Sequence, residues 1–342
     1  MAKIKVAIVG ASGYTGEELV RLLLRHPAVE LNCVTSRQQA GQALAKVFPK
    51  FASRSTLTFT EPKVDDIAMQ ADVAFLALPH GVASEFAGPL IEKGLRVIDL
   101  SADFRLKSAE VYKEFYAHDH PAPALLQQAV YGMPEIRRNA IRGARLIASP
   151  GCYPTSIILG AAPALKSKIV KTAGIIANSL SSPSGAGRKA ELDYLFIECN
   201  ESIRAYSVPK HRHLSEIEQE LSLLAGAKIA ISFTPTLVPI NRGIHTTLYF
   251  ELARPLAQAD AQKLYEDFYR EEPFVRVMEP GRLPDTKNIA GTNYLDVAVR
   301  VDSRANRLIA LSAVDNIVKG AGGQAVQSLN LMFGLDETTG LL

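Results

Sequence analysis

The stretch that most restricts the fold lies at the start of the chain. Ile4–Val9, an apolar run broken only by Lys5, passes directly into Gly10-Ala11-Ser12-Gly13-Tyr14-Thr15-Gly16. Glu17–Arg25 follows, with Leu19/Leu23 and Val20/Leu24 one helical turn apart, and Pro27 ends the helix. Strand, glycine turn and helix in this order open a βαβ unit of a parallel sheet. Gly10 permits the tight turn, Gly13 lets the backbone approach a pyrophosphate, and Gly16 lets the helix pack closely on the strand. The amides that open the helix, with its dipole, then hold the phosphates. Gly10, Ser12, Gly13, Tyr14, Thr15 and Gly16 are therefore candidate cofactor contacts. The spacing is GxxGxxG rather than GxGxxG, so a plain tight turn is the competing reading, and the flanking strand and helix favour the nucleotide.

The end of the second strand, Leu31–Thr35, selects the cofactor. An NAD site usually carries a carboxylate there for the ribose 2′-hydroxyl, whereas this chain has Thr35-Ser36-Arg37. Hydroxyls and a guanidinium suit a 2′-phosphate, so Ser36 and Arg37 point to NADP; the competing reading makes Arg37 a solvated surface cation. The alternation of strand and helix continues through Val73–Leu78, Val97–Leu100 and Leu146–Ala148. Between the last two, residues 107–145 are rich in aromatic, proline and charged residues and read as an irregular excursion.

The texture changes after Pro150. A helix over Thr155–Leu165 precedes strands at Gly174–Asn178, Ile229–Pro235, Thr246–Leu252 and Tyr294–Val301, with polar loops at Ser181–Lys189 and Pro280–Asn288. Asp315, Asn316 and a turn at Gly320–Gly323 lead to a last apolar helix through Met332 that can return to the first domain. A chain of 342 residues has room for two domains. The expected fold class is α/β: a Rossmann-type dinucleotide-binding domain (1–150 and 315–342) plus an α+β catalytic and oligomerisation domain (151–314) with a mostly antiparallel sheet.

A net charge of +3 with no run of Lys and Arg excludes a nucleic-acid footprint, and no apolar stretch is long enough to span a bilayer. The opening apolar run breaks into glycines without a small-residue cleavage site, so it reads as a strand and not a signal peptide. Cys33, Cys152 and Cys199 are odd in number and widely spaced. They fit neither a disulfide framework nor a zinc site, and a cytoplasmic protein without a structural metal is expected.

Cys152 differs from the other two in its setting. Leu146–Ser149 reads as a strand, and Pro150-Gly151-Cys152-Tyr153-Pro154-Thr155 turns into a helix. A thiol at a helix N-terminus is drawn toward thiolate, and the amides there can hold an oxyanion. Gly151 leaves room for a substrate carbonyl. A buried structural thiol is the competing reading and suits Cys33 and Cys199 better. A thiolate beside a nicotinamide site suggests acylation of the thiol followed by hydride transfer. The densest basic cluster, Lys210-His211-Arg212-His213, precedes a helix in which Glu216 can orient a histidine. His80, after Pro79, sits at the carboxyl end of a strand and is a candidate for the cofactor crevice.

With these residues in place, the sequence resembles the N-acetyl-gamma-glutamyl-phosphate reductases, relatives of aspartate-semialdehyde dehydrogenase. The resemblance spans the chain: VAIVGASGYTGEEL (Val6–Leu19), FLALPHG (Phe75–Gly81), VIDLSADFRL (Val97–Leu106), YGMPE (Tyr131–Glu135), SPGCYPT (Ser149–Thr155), SGAGRKA (Ser184–Ala190), KHRH (Lys210–His213), FTPTLVPINRGI (Phe233–Ile244), LPDTK (Leu283–Lys287) and the closing AVDNIVKGAGGQAVQSLNLMFGL. It implies Cys152 as the nucleophile, with His211 and His213 sharing the acid/base and substrate-contact roles and His213 favoured as acid/base. Ser184, Gly185 and Arg188, together with Arg105 and Glu216, are implied as substrate or phosphate contacts, and Asn316 as a cofactor contact. Ser181-Ser182-Pro183 departs from the usual SGVSGAGR pattern, and Pro183 is expected to stiffen that loop. The implied activity is NADPH-dependent reduction of N-acetyl-L-glutamyl 5-phosphate in arginine biosynthesis by a homo-oligomer (dimer or tetramer) acting on a small molecule. A reductase of aspartyl or carrier-bound aminoadipyl phosphate is the nearest alternative. A non-catalytic NADP sensor on the same fold is expected to have lost the thiol or the basic cluster.

Overall fold

The computed structural model describes residues 2–188 and 191–342. Lys189 and Ala190, the last two residues of the SGAGRKA motif, lie outside the described residues. The chain forms two compact units, one reaching to Pro150 and including Ala321–Leu342, the other Gly151–Gly320. Residues 315–320 therefore cluster with the second unit and not with the closing helix.

The first unit holds β1 (Ile4–Val9), β2 (Val29–Thr35), β3 (Val73–Leu76), β4 (Arg96–Asp99), β5 (Val130–Tyr131) and β6 (Leu146–Ala148). They form one six-stranded sheet in the order β2-β1-β3-β4-β6-β5, parallel at every pairing. Helices cover a parallel sheet on both faces, which is why β3 and β6 are apolar and buried at every residue rather than alternating. The chain leaves β1 for β2 on one side and returns to β3 on the other. That reversal places the loops after β1 and β3 beside a crevice at the carboxyl ends of the strands. The closing helix Gly323–Met332 is buried at every residue and packs on the helices Tyr14–Leu23 and Pro134–Arg142.

The segment expected to be irregular, 107–145, is more ordered than its composition suggested. It contains the helices Ala109–Tyr116, Pro123–Leu126 and Pro134–Arg142, as well as β5. Local signals explain the correction: Ser108 caps the first helix by accepting from Val111 N at 3.2 Å. Pro123 and Pro134 each stand in the first turn of their helices, where a missing N–H costs little. The aromatic residues pack with one another, Tyr112 and Tyr116 stacking with ring centres 4.7 Å apart.

The second unit holds β7 (Ile175–Ser181), β8 (Arg204–Ala205), β9 (Ile231–Leu237), β10 (Ile244–Glu251), β11 (Val275–Val277), β12 (Leu295–Asp302) and β13 (Arg307–Val314). Their sheet runs β11-β12-β13-β10-β7-β9-β8 and is mostly antiparallel, with parallel pairings at β11/β12 and β7/β9. β8, β11, β13 and the helices Phe196–Cys199 and Gln258–Tyr269 have no counterpart among the elements expected from the sequence. β13 pairs with β12 as a hairpin and its alternation is blurred by an apolar run, Leu308-Ile309-Ala310-Leu311.

The helix Cys152–Lys166 packs on β10 and β13 and against the helix His213–Ala225. It begins three residues earlier than the sequence pattern marked. Gly160 permits the close approach to the sheet, since a Cβ there would lie 2.9 Å from Leu248 Cδ1. Ser156 ties the helix to the strands: its Oγ bonds Thr246 Oγ1 at 2.7 Å and Ser312 Oγ at 2.8 Å. Pro163 inside the helix has no N–H for the carbonyl of Leu159. The hydroxyl of Tyr269 donates to that carbonyl, and the hydroxyl of Tyr265 donates to Gly160 O at 2.9 Å. Tyr269→Phe leaves the buried Leu159 carbonyl without this donor and is expected to cost about 1–3 kcal/mol in urea denaturation. An unchanged midpoint would show that the bond contributes nothing.

Candidate active site

The residues assigned to the cofactor lie together in the first unit. Gly10 has φ +86°, and a Cβ there would stand 2.5 Å from Ala77 O; one on Gly16 would stand 2.6 Å from Ala11 Cα. Both positions thus require glycine for packing. Gly13 differs, because a Cβ there would meet nothing within 4 Å. It is the N-cap of the helix Tyr14–Leu23, which has no side-chain cap. An uncapped helix start with open space at its N-cap fits a pyrophosphate. Ser12 Oγ and Ser36 Oγ are 3.0 Å apart, which brings the glycine turn against the end of β2. Arg37 pairs with Glu85 at 3.0 Å, and both side chains are more than half exposed. Such exposed pairs are worth at most about 1 kcal/mol, so this one yields readily to a phosphate.

Arg105, also in the first unit, is only 6% exposed. Its Nε donates to Ser149 O at 2.8 Å and its Nη2 to Leu100 O at 2.9 Å. These two bonds hold the guanidinium at the ends of β4 and β6.

Cys152, His211, His213, Glu216, Ser184, Gly185, Arg188 and Asn316 all fall in the second unit. Cys152 is the first residue of its helix, with extended Gly151 as an N-cap that supplies no side chain. His213 is likewise the first residue of the neighbouring helix His213–Ala225. Glu216, in the first turn of that helix and 1% exposed, reaches across so that its Oε1 accepts from Gly151 N at 2.9 Å. The expected orienter of a histidine therefore anchors the residue before the thiol. Gly320 presses on the thiol residue from another side, since a Cβ there would lie 2.9 Å from Cys152 Cβ.

The two histidines lie with ring centres 5.0 Å apart, and His211 is enclosed by Tyr153, Tyr206 and Phe233 at 5.4, 5.5 and 5.6 Å. The Tyr153 and Tyr206 hydroxyls bond each other at 2.9 Å. His211 Nδ1 accepts from His213 N at 3.1 Å, which puts the ring proton of neutral His211 on Nε2. Burial, and then the Arg212 charge, push its pKa down to about 4.

Ser184 and Gly185 sit in the 3-10 turn Pro183–Ala186. Pro183 takes its first position, where the ring is accommodated. Asn316 Oδ1 accepts from Gly243 N at 2.8 Å and from Ser182 Oγ at 3.1 Å, while its Nδ2 donates to Ser184 Oγ at 3.0 Å. Its carboxamide ties the serine loop to the turn before β10. Arg188 is exposed on that loop. Tyr153, Tyr206 and Asp315 also belong to the site, although the sequence alone gives them no role. Asp315 is fully buried and accepts from Ile317 N, Val318 N and Gly291 N at 2.8, 3.0 and 2.7 Å, fixing the turn that ends at Gly320. Its signal was the VDN triplet in the closing motif. Among the described residues no group of three or more His, Cys, Asp or Glu is placed to hold a metal, and no helix is long and apolar enough to cross a membrane.

Comparison with known proteins agrees with this layout. The profile of the semialdehyde dehydrogenase NAD binding domain matches residues 5–144, and that of the semialdehyde dehydrogenase dimerisation domain matches residues 152–316. Among solved structures, aspartate semialdehyde dehydrogenase II from Vibrio cholerae has a TM-score of 0.74 at 19% identity, covering 97% of this chain and 99% of that one. Aspartate semialdehyde dehydrogenase with NADP from Candida albicans has a TM-score of 0.71 at 16% identity, covering 97% and 99%. At such identities the likeness is one of fold. A glycine-turn dinucleotide unit followed by a unit opening on a cysteine at a helix start thus defines the semialdehyde dehydrogenase class.

The sequence relatives narrow the class. N-acetyl-gamma-glutamyl-phosphate reductase of Akkermansia muciniphila is 54% identical over 344 aligned residues, covering 100% of this chain and 99% of the relative. That of Geobacter sulfurreducens is 50% identical over 339, covering 99% and 98%. The chain belongs to the N-acetyl-gamma-glutamyl-phosphate reductase family.

The low pKa of His211 has a consequence for stability. In the unfolded chain the group titrates near 6.5, so between pH 6.5 and 4 the unfolded state binds more protons. The contribution of His211 is full above pH 6.5 and is lost as the pH falls toward 4. The stability difference between wild type and His211→Asn should shift against wild type from pH 7.5 to pH 4.5, measured by urea denaturation. Parallel pH curves would contradict the assignment.

Proposed function

We propose that the chain catalyses NADPH-dependent reduction of N-acetyl-L-glutamyl 5-phosphate to N-acetyl-L-glutamate 5-semialdehyde, with release of phosphate, in arginine biosynthesis. The observation that carries this reading is Cys152 at the first position of an uncapped helix, in the same unit as the His211/His213 pair. The activity that names the family supplies the substrate. Gly10, Ser12, Gly13, Tyr14, Thr15 and Gly16 are the proposed pyrophosphate-side contacts, and Ser36 and Arg37 those of a 2′-phosphate.

The Cys152 thiolate, favoured by the helix dipole, attacks the acyl carbon. The carbon–oxygen bond to phosphate breaks, a thioester forms, and Arg188 offsets the charge of the departing phosphate. NADPH supplies a hydride to the thioester carbon when bound. His213 protonates the oxyanion and takes that proton back as the carbon–sulfur bond breaks, returning the thiolate and freeing the aldehyde. His211, held neutral by burial, serves as an Nε2–H donor to substrate and not as the proton carrier. Glu216 and Arg105 act as positioning residues, Glu216 on Gly151 and Arg105 on the carbonyl of Ser149. Ser184 and Gly185 offer a substrate cradle, and Asn316 holds its shape from the cofactor-side turn. The proposed setting is a homo-oligomer, dimer or tetramer, in the cytoplasm.

Cys152→Ser should lower turnover by roughly 10³-fold or more while NADPH titration is unchanged. His213→Asn should lower kcat by about 10²–10⁴-fold. His211→Asn should act chiefly on the KM for the acyl phosphate. Phosphate-dependent NADP reduction is assayed with N-acetylglutamate, aspartate and aminoadipate semialdehydes. Preference for either of the last two would overturn the substrate, and full activity in Cys152→Ser would overturn the mechanism.

A further inference from the structure

The crevice at the chain reversal has two walls. One is the glycine turn after β1, and the other is the loop after β3, Ala77-Leu78-Pro79-His80-Gly81-Val82-Ala83. The walls are in contact, because a Cβ on Gly10 would lie 2.5 Å from Ala77 O and 2.9 Å from Leu78 Cδ2. Displacing the second wall therefore also disturbs the turn that receives the pyrophosphate.

The second wall is held from one place. Ala102 N donates to His80 Nδ1 at 3.1 Å. Gly81 N donates to Asp103 Oδ1 at 2.7 Å, and Ser84 donates to Asp103 Oδ2 twice, from its amide at 3.2 Å and its hydroxyl at 3.1 Å. Tyr112 Oη completes the set with a bond to Asp103 Oδ1 at 3.1 Å. Asp103 is fully buried, and its amide donates to Ser101 Oγ at 3.1 Å. Ser101 is in turn held by Asp99 through its amide at 2.9 Å and its hydroxyl at 2.8 Å. The Ser101–Asp103 part of the SADFR motif, which the resemblance connected to substrate through Arg105, thus grips the cofactor loop.

We infer that Asp103 is a positioning residue for the dinucleotide: its buried carboxylate clamps the loop after β3 as the second wall of the NADP crevice. The inference rests on the proposed NADPH-dependent activity. A carboxylate suits the task because it only accepts, and four donors converge on it. An amide there places its own N–H groups against donors, so at least one oxygen's worth of bonds is lost. Asp103 lies in the first unit, whereas Cys152, His211 and His213 lie in the second.

The test is NADPH titration and full steady-state kinetics on the whole chain with Asp103→Asn, Ser84→Ala and Tyr112→Phe. For Asp103→Asn, the NADPH Kd and KM should rise about tenfold or more, with the acyl phosphate KM and the kcat at saturating NADPH within about twofold. Ser84→Ala and Tyr112→Phe each delete one donor and should weaken NADPH binding by roughly two- to fivefold. Unchanged NADPH affinity in folded Asp103→Asn would overturn the inference, as would an equal fall in every kinetic parameter. If Asp103→Asn does not fold, the two single-donor variants decide, and wild-type NADPH affinity in both overturns it. A wild-type chain that binds no NADPH would overturn the proposed function along with the inference. Binding that is intact in wild type and in every variant would overturn the clamp alone.

Discussion

The placement of the Cys152 thiol depends on how the helix Cys152–Lys166 is held. Thirteen of its residues are buried, so its polar backbone has to be satisfied inside the protein. Tyr269 and Tyr265 serve the carbonyls around Pro163, and Ser156 fastens the middle of the helix to the sheet. At the start of the helix no side chain caps the amides, and Glu216 holds Gly151 from the neighbouring helix. A helix secured along its length leaves its N-terminus fixed, and an N-terminus that does not move can hold a thiolate and an oxyanion at low reorganisation cost.

The basic pair follows the same logic. His213 opens its own helix, and its amide is received by His211 Nδ1, so one histidine's tautomer is set by the other's backbone. Enclosure by Tyr153, Tyr206 and Phe233 keeps His211 neutral. The two histidines of one four-residue motif are thereby placed differently, one among aromatic rings and the other at a helix start.

Much of the fold was open to sequence reasoning because its signals are local. The glycine turn, the apolar strands and the strand–turn–helix at Cys152 each announce themselves within a dozen residues. Ser108 and Pro134 carried equally local signals, but the aromatic and charged composition around them hid the helices they start. β13 escaped because its apolar run blurs the alternation, and only pairing with β12 shows it as a strand. Site residues divide along the same line. Cys152 and the histidines were visible by residue type and context. The hydrogen-bond partners of Glu216, Arg105, Asn316 and Asp103 were not, because they lie 19 or more residues away in sequence: Gly151, Ser149, Gly243 and Ser84. A charged residue in a motif suggests a ligand contact, and its type does not tell that Glu216 also holds an amide or Arg105 a carbonyl.

The proposed mechanism turns on passage of the acyl group through Cys152. It is tested most directly by mixing the enzyme with N-acetylglutamyl phosphate in the absence of NADPH, following phosphate release and the mass of the intact chain. The expected result is a burst of about one phosphate per active site, with an N-acetylglutamyl adduct on the peptide that contains Cys152. No burst and no adduct, with phosphate released only when NADPH is present, would contradict it.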